Sequence, residues 1–192
     1  MKFTNINMSA DYRSYVGIFG HTFSSNIENV EANNINIRGS AYVAPLFPEF
    51  DSSEKYVSNI TVDTVDVNAR SSYSGGAFGY IASVKPSTFS NITVNNATVH
   101  GYDYVGGAFG VGTATNVLVT NSNISGTSQI GGFSGSPSAL ASSDIVVDNV
   151  NVSGTLQRVG GIAGQVTSGT TISEFDALSH AICPGNLLLL KN

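Results

Sequence analysis

The chain has 192 residues, with 8 Lys and Arg against 13 Asp and Glu, a formal net charge of −5 and only 11% charged residues. Eight scattered basic residues leave no electrostatic footprint for a phosphate backbone, so nucleic-acid binding is not expected. With 41% hydrophobic residues the chain can bury a core, and 34 Val and Ile against 9 Leu, among 26 Ser, 19 Asn, 15 Thr and 21 Gly, favour strands and turns over helices.

The leading residues, Met1-Lys2-Phe3-Thr4-Asn5-Ile6-Asn7, are too polar for the apolar core of a signal peptide, and residues 1–10 read as an N-terminal segment or cap. A glycine-rich block then recurs. Its degenerate copies are Tyr15-Val16-Gly17-Ile18-Phe19-Gly20 and Tyr42-Val43-Ala44-Pro45-Leu46-Phe47. The fuller copies are Tyr73-Ser74-Gly75-Gly76-Ala77-Phe78-Gly79, Tyr104-Val105-Gly106-Gly107-Ala108-Phe109-Gly110, Gln129-Ile130-Gly131-Gly132-Phe133-Ser134-Gly135 and Arg158-Val159-Gly160-Gly161-Ile162-Ala163-Gly164. A second element follows each of the first five blocks and aligns without gaps from Asn29, Asn59, Asn91, Asn116 and Asp144. Its apolar columns are Val30, Ile60, Ile92, Val117, Ile145; then Ala32, Val62, Val94, Val119, Val147; then Ile37, Val67, Val99, Ile124, Val152. Apolar positions two apart point to one side of a short strand.

Equivalent residues recurring in every unit are what a solenoid requires, because each coil stacks its residues on those of the coil before. The expected fold is therefore all-β: a three-sided parallel β-helix, of either hand, with about six coils of 25–31 residues over residues 11–173. Each coil would use the glycine block and the two halves of the second element as its strands. Gly75, Gly106, Gly131 and Gly160 would relieve crowding or supply positive φ at a bend. Residues 174–192 change abruptly to a Leu-, Cys- and Pro-containing stretch and read as a C-terminal cap or a truncated tail. The run Leu187 to Leu190 is far too short to insert in a membrane, and a lone Cys183 offers no disulfide or zinc framework.

The V-G-G-h-x-G block followed by an N-h-x-V run resembles GLUG-type repeats, found in bacterial surface and secreted proteins and in some protist proteins. The resemblance spans residues 11–172 and departs from the pattern at Ala44-Pro45. It implies a β-solenoid segment of a larger, often adhesive, exported protein, located outside the cell or at its surface.

Asn29, Asn59, Asn91, Asn116 and Asp144 form one polar column, expected to pass side-chain hydrogen bonds from coil to coil. No catalytic residue, metal site or cofactor is assigned. Asp63 and Asp148 share a column but are separated by two coils, which carry Asn95 and Thr120 there, and neither a carboxyl pair nor a carboxylate cluster with a basic residue is visible. Insertions at 48–58, 80–90 and 136–143 fall at one corner, where binding loops commonly form. There Phe47, Phe50, Tyr56, Tyr80 and Phe89 are candidates for contact with sugar rings or a host-surface protein; closing the core against the loops is the other role for the same rings. The function expected is non-catalytic display by an adhesin-like segment. A polysaccharide lyase or hydrolase and a purely structural spacer are the alternatives. Ice binding is remote, because the outward column Glu31, Thr61, Thr93, Leu118, Val146 holds only two Thr.

Overall fold

The computed structural model describes residues 1–23, 25–51, 56–82, 89–138, 141–166, 168 and 170–182. Cys183, the Leu187–Leu190 run and the insertion residues 52–55, 83–88 and 139–140 lie outside the described residues. Among the described residues the regular structure is fourteen strands: β1 (Lys2–Ala10), β2 (His21–Phe23), β3 (Ile27–Gly39), β4 (Phe47–Asp51), β5 (Val57–Ala69), β6 (Ser74–Gly75), β7 (Phe78–Ala82), β8 (Phe89–His100), β9 (Asp103–Gly106), β10 (Phe109–Val111), β11 (Thr115–Gly131), β12 (Ser134–Ser136), β13 (Ala141–Gly160) and β14 (Thr171–Ile182). They pair in parallel as two sheets. The larger runs β1-β3-β5-β8-β11-β13-β14, with β9 on β11 and β6 on β9; the smaller runs β12-β10-β7-β4-β2. The result is the β-solenoid of about six turns that the repeats call for. Register-matched Lys2, Glu31, Thr61, Thr93, Leu118, Val146 and Asp176 give coil lengths of 29, 30, 32, 25, 28 and 30 residues.

The long strands bend because their apolar alternation changes phase. In β3, Val30 and Ala32 are buried, then Ile35 and Ile37, so the two-residue period slips by one at Asn34. The same slip occurs in β5 at Thr64, in β8 at Asn96, in β11 at Asn121 and in β13 at Asn149. Each slip residue is left-handed, with φ between 50° and 55°. A bend there keeps both halves of the strand facing one core. The three apolar columns of the sequence stack in register as aligned. Each fully buried Val or Ile contributes roughly 1.5–3 kcal/mol.

The glycine blocks also stack in register: Val16, Val43, Ser74, Val105, Ile130 and Val159 form one column. Of the two roles open to their glycines, close approach is the one realised. A methyl on Gly106 would overlap the carbonyl oxygen of Phe109, and one on Gly107 would overlap that of Gly132 in the next coil. Neither has a positive φ. The close passage brings a phenylalanine of each coil into line. Phe47 stacks on Phe78 at 5.1 Å and Phe78 on Phe109 at 4.8 Å, with Phe19 on Phe47 at 4.9 Å. Phe133 meets Phe109 edge-on, at 70°, because it stands one residue early: Ser134, not Phe133, is the register partner of Phe109.

Three stretches outside the aligned columns also join the sheets. Residues 2–10 form β1, which pairs in register with β3. β14 carries the larger sheet past residue 173, with Phe175 opposite Ile145 and Ala181 opposite Val152. Finally, the insertions at 48–58, 80–90 and 136–143 begin as strands, because β4, β7 and β12 form the smaller sheet. Parallel pairing satisfies these backbones whatever their side chains, so composition hid them.

Candidate functional site

Three left-handed positions recur in each coil, and non-glycine residues occupy them. The first column is Asn29, Asn59, Asn91, Asn116 and Asp144, with φ of 53–56°. Asparagine enters this region more readily than most residues because its short amide bonds locally. Here the amides also bond along the stack: Asn59 Nδ2 donates to Asn29 Oδ1 (3.2 Å), Asn91 to Asn59 (3.1 Å) and Asn116 to Asn91 (2.7 Å). The ladder stops at Asp144, whose carboxyl group has no N–H to give and accepts from Ser143 at 3.0 Å. A shallow depression lies between this ladder and Thr61, Thr93 and Leu118.

The second column, Asn5, Asn34, Thr64, Asn96, Asn121 and Asn149, is interrupted from Thr64 to Asn121, which donates to Asn95 Oδ1 at 2.9 Å. Asn34 donates to Asn5 (2.7 Å) and Asn149 to Asn121 (2.7 Å). Asn96 turns instead to Asp63 Oδ1 (3.0 Å), which Asn95 also reaches (2.8 Å), while Asn33 donates to Oδ2 (3.0 Å). Three amides thus hold Asp63, one of the two carboxylates weighed with Asp148 in the sequence. Among the described residues no group of three His, Cys, Asp or Glu is placed to hold a metal ion.

The third column is Tyr15, Tyr42, Tyr73, Tyr104, Gln129 and Arg158, with φ of 54–67°. A bulky residue here is strained by about 1–2 kcal/mol. Stacking offsets it: Tyr15–Tyr42 at 4.8 Å, Tyr42–Tyr73 at 4.7 Å and Tyr73–Tyr104 at 5.0 Å, with ring planes within 28° of parallel. Each such pair is worth about 0.5–1.5 kcal/mol beyond burial. Tyr80 packs edge-on against Tyr73 (5.1 Å) and Tyr42 (5.9 Å), and His21 stacks on Tyr15 (5.6 Å). His21 Nε2 lies 3.2 Å from Glu49 Oε2. Partial burial first, then neighbouring rings and the carboxylates of Glu49 and Asp103, push the Tyr42 and Tyr73 hydroxyls above the ordinary phenol range.

The five candidate rings divide. Phe47, Phe50 and Phe89 are completely buried, with Phe50 and Phe89 edge-on at 5.3 Å, so they belong to the core and are withdrawn as contact residues. β4 in the smaller sheet turns Phe47 and Phe50 inward and β8 in the larger sheet turns Phe89 inward; Phe47 is a rung of the phenylalanine stack, and Phe50 and Phe89 fill the space beside it. Tyr56 is exposed, its hydroxyl bonded to Glu28, which raises its pKa. Tyr80 joins the tyrosine ladder. Tyr15, Tyr42, Tyr73 and Tyr104 were not among the candidates, although each opens a glycine block. That shared first position is the signal that marks them.

Their arrangement defines what this corner offers. The inner rings cover one another's faces, so they cannot stack on a sugar ring. What remains free is a row of phenol edges and hydroxyls at the strand spacing. The molecule is thus a parallel β-solenoid with an aromatic ladder on one corner and asparagine ladders on the others. No family model, curated protein or solved structure matches the chain.

Proposed function

We propose that the chain is a non-catalytic segment of a surface or secreted adhesin-like protein of the GLUG-repeat kind, located outside the cell or at its surface. It presents its tyrosine corner to a carbohydrate or host-surface protein. The observation that carries this reading is the line of four partly exposed tyrosines held at 4.7–5.0 Å intervals on a stacked core. Tyrosine is favoured at interfaces because it adds large contact area at low entropy cost. The covered ring faces favour a protein over a sugar. The polysaccharide-active alternative needs two carboxyl groups at a set short separation, and Asp63 and Asp148 stand three coils apart in their column.

The test is a panel of immobilised glycans and host-surface proteins, scored for retention of the purified chain and for release of reducing ends. Selective retention without release supports the reading. Release of reducing ends supports the enzyme, and no retention supports the spacer.

A further inference from the structure

A second column runs beside the tyrosines. Strand register sets His21, Glu49, Tyr80, Val111 and Ser136 on successive coils. Ring contacts tie the two columns together at Tyr15–His21, Tyr42–Tyr80 and Tyr73–Tyr80, and Phe23, 61% exposed, extends the patch 4.0 Å from His21. Glu49 stands in this second column, its carboxylate 3.2 Å from His21 Nε2, and Asp103 directly precedes Tyr104, so two carboxylates accompany the ladder. Arg158 stands two coils beyond Tyr104 in this column, its guanidinium bonded to Gln165 at 3.2 Å.

We propose that this face binds an elongated, flat, positively charged aromatic molecule lying lengthwise along Tyr15, Tyr42, Tyr73 and Tyr104. The inference rests on the reading of this corner as the binding face and gives that face a ligand class. The rungs repeat along the solenoid axis, so a rigid planar molecule spanning three strand spacings, roughly 14–15 Å, meets each ring edge in the same way. A compact ligand would meet one or two. A flat face laid over ring edges is the edge-to-face geometry that aromatic groups favour. The ladder is already ordered by its own stacking, so binding loses little side-chain freedom. Charge selects the sign: Glu49, Asp103 and a net charge of −5 favour a cation and repel an anion.

Thioflavin T, a flat cationic dye, is the probe, and Congo red, elongated and anionic, is its counterpart. Monomeric full-length chain should give a saturable thioflavin fluorescence rise and bind Congo red at least tenfold more weakly. Tyr73→Asn, which keeps a residue suited to positive φ but removes a rung, should weaken thioflavin binding at least tenfold. Tyr73→Phe should retain it, and Tyr12→Asn, an exposed tyrosine outside the ladder, should leave it unchanged. If Tyr73→Asn does not fold, Tyr104→Asn at the end of the ladder decides instead. No saturable signal, preference for Congo red, or equal affinity in the ladder variants and Tyr12→Asn would overturn the proposal. The panel is scored apart: a panel partner without dye binding sinks the ligand class alone, and dye binding without a panel partner sinks the macromolecular partner alone.

Discussion

The rings of Tyr42 and Tyr73 stack at 4.7 Å, 28° from parallel, so neither can ionise without setting a phenolate against its neighbour. Both hydroxyls are held above the ordinary value of 10.0, by burial first and then by neighbouring rings and carboxylates. The folded chain therefore keeps these protons more tightly than the unfolded chain does. The associated stability is complete below the unfolded value and is lost as pH rises through the raised folded values. Thermal melts should hold steady to about pH 9 and fall above about pH 10, and Tyr73→Phe should fall less steeply. Identical alkaline slopes in both proteins would argue against the stacked ladder.

Asn91 both gives to Asn59 and accepts from Asn116, in a left-handed conformation. Asn91→Ala removes two ladder bonds and places a residue with no left-handed preference at the bend. We expect a loss of about 2 kcal/mol in chemical denaturation, and about half that for Asn91→Gly, which adopts positive φ freely.

Thr64 is a β-branched residue at φ 55° in a column otherwise made of asparagine. Thr64→Asn should relieve that strain and extend the Asn5–Asn34 ladder by one amide rung. The expected gain is about 1 kcal/mol, read as a melting temperature higher by roughly 2–4 °C. A lower melting temperature would show that the turn of Asn96 toward Asp63 is worth more than the ladder.

Ser74 is buried, its hydroxyl without a partner, in a column otherwise of Val and Ile. The facing column explains it. Gly39, Gly101, Gly126 and Gly154 leave room for the branched methyls of Val16, Val43, Val105, Ile130 and Val159, whereas the register partner of Gly39 in the third coil is Ala69. A smaller residue at 74 accommodates the larger one at 69. Ser74→Val alone should destabilise through overpacking, by about 1–3 kcal/mol. In the Ala69→Gly background it should be neutral or stabilising. Additive effects in the double-mutant cycle would refute the compensation.

How much of this was legible before the fold was known depends on which atoms set each feature. The columns from Val30 to Ile145 and from Ile37 to Val152 were readable because burial repeats the same side-chain chemistry in every coil. The asparagine ladder was readable for the same reason, as far as Asn116. The smaller sheet was legible only in part: Phe47 and Phe78 share one register position and Phe50 and Ile81 another, but Ser-Gly-Ser in β12 does not repeat them and is fixed by backbone pairing with the next coil. Phe47 and Phe50, with Phe89 at the start of β8, looked like loop rings and are core. The tyrosine corner was visible as a repeated first letter, but only the coil stacking brings those four rings to 4.7–5.0 Å. The continuation of the larger sheet past residue 173 was masked by a change of composition that backbone pairing tolerates.

If the tyrosine corner is the binding face of a non-catalytic rod, retention on a partner depends on its rungs. The most direct measurement compares retention of the native chain and of Tyr73→Asn on the same glycan and surface-protein panel, with reducing ends assayed in the same wells. Selective retention of the native chain, lost in Tyr73→Asn and without reducing-end release, is the predicted result. Equal retention of both proteins, or release of reducing ends, would contradict it.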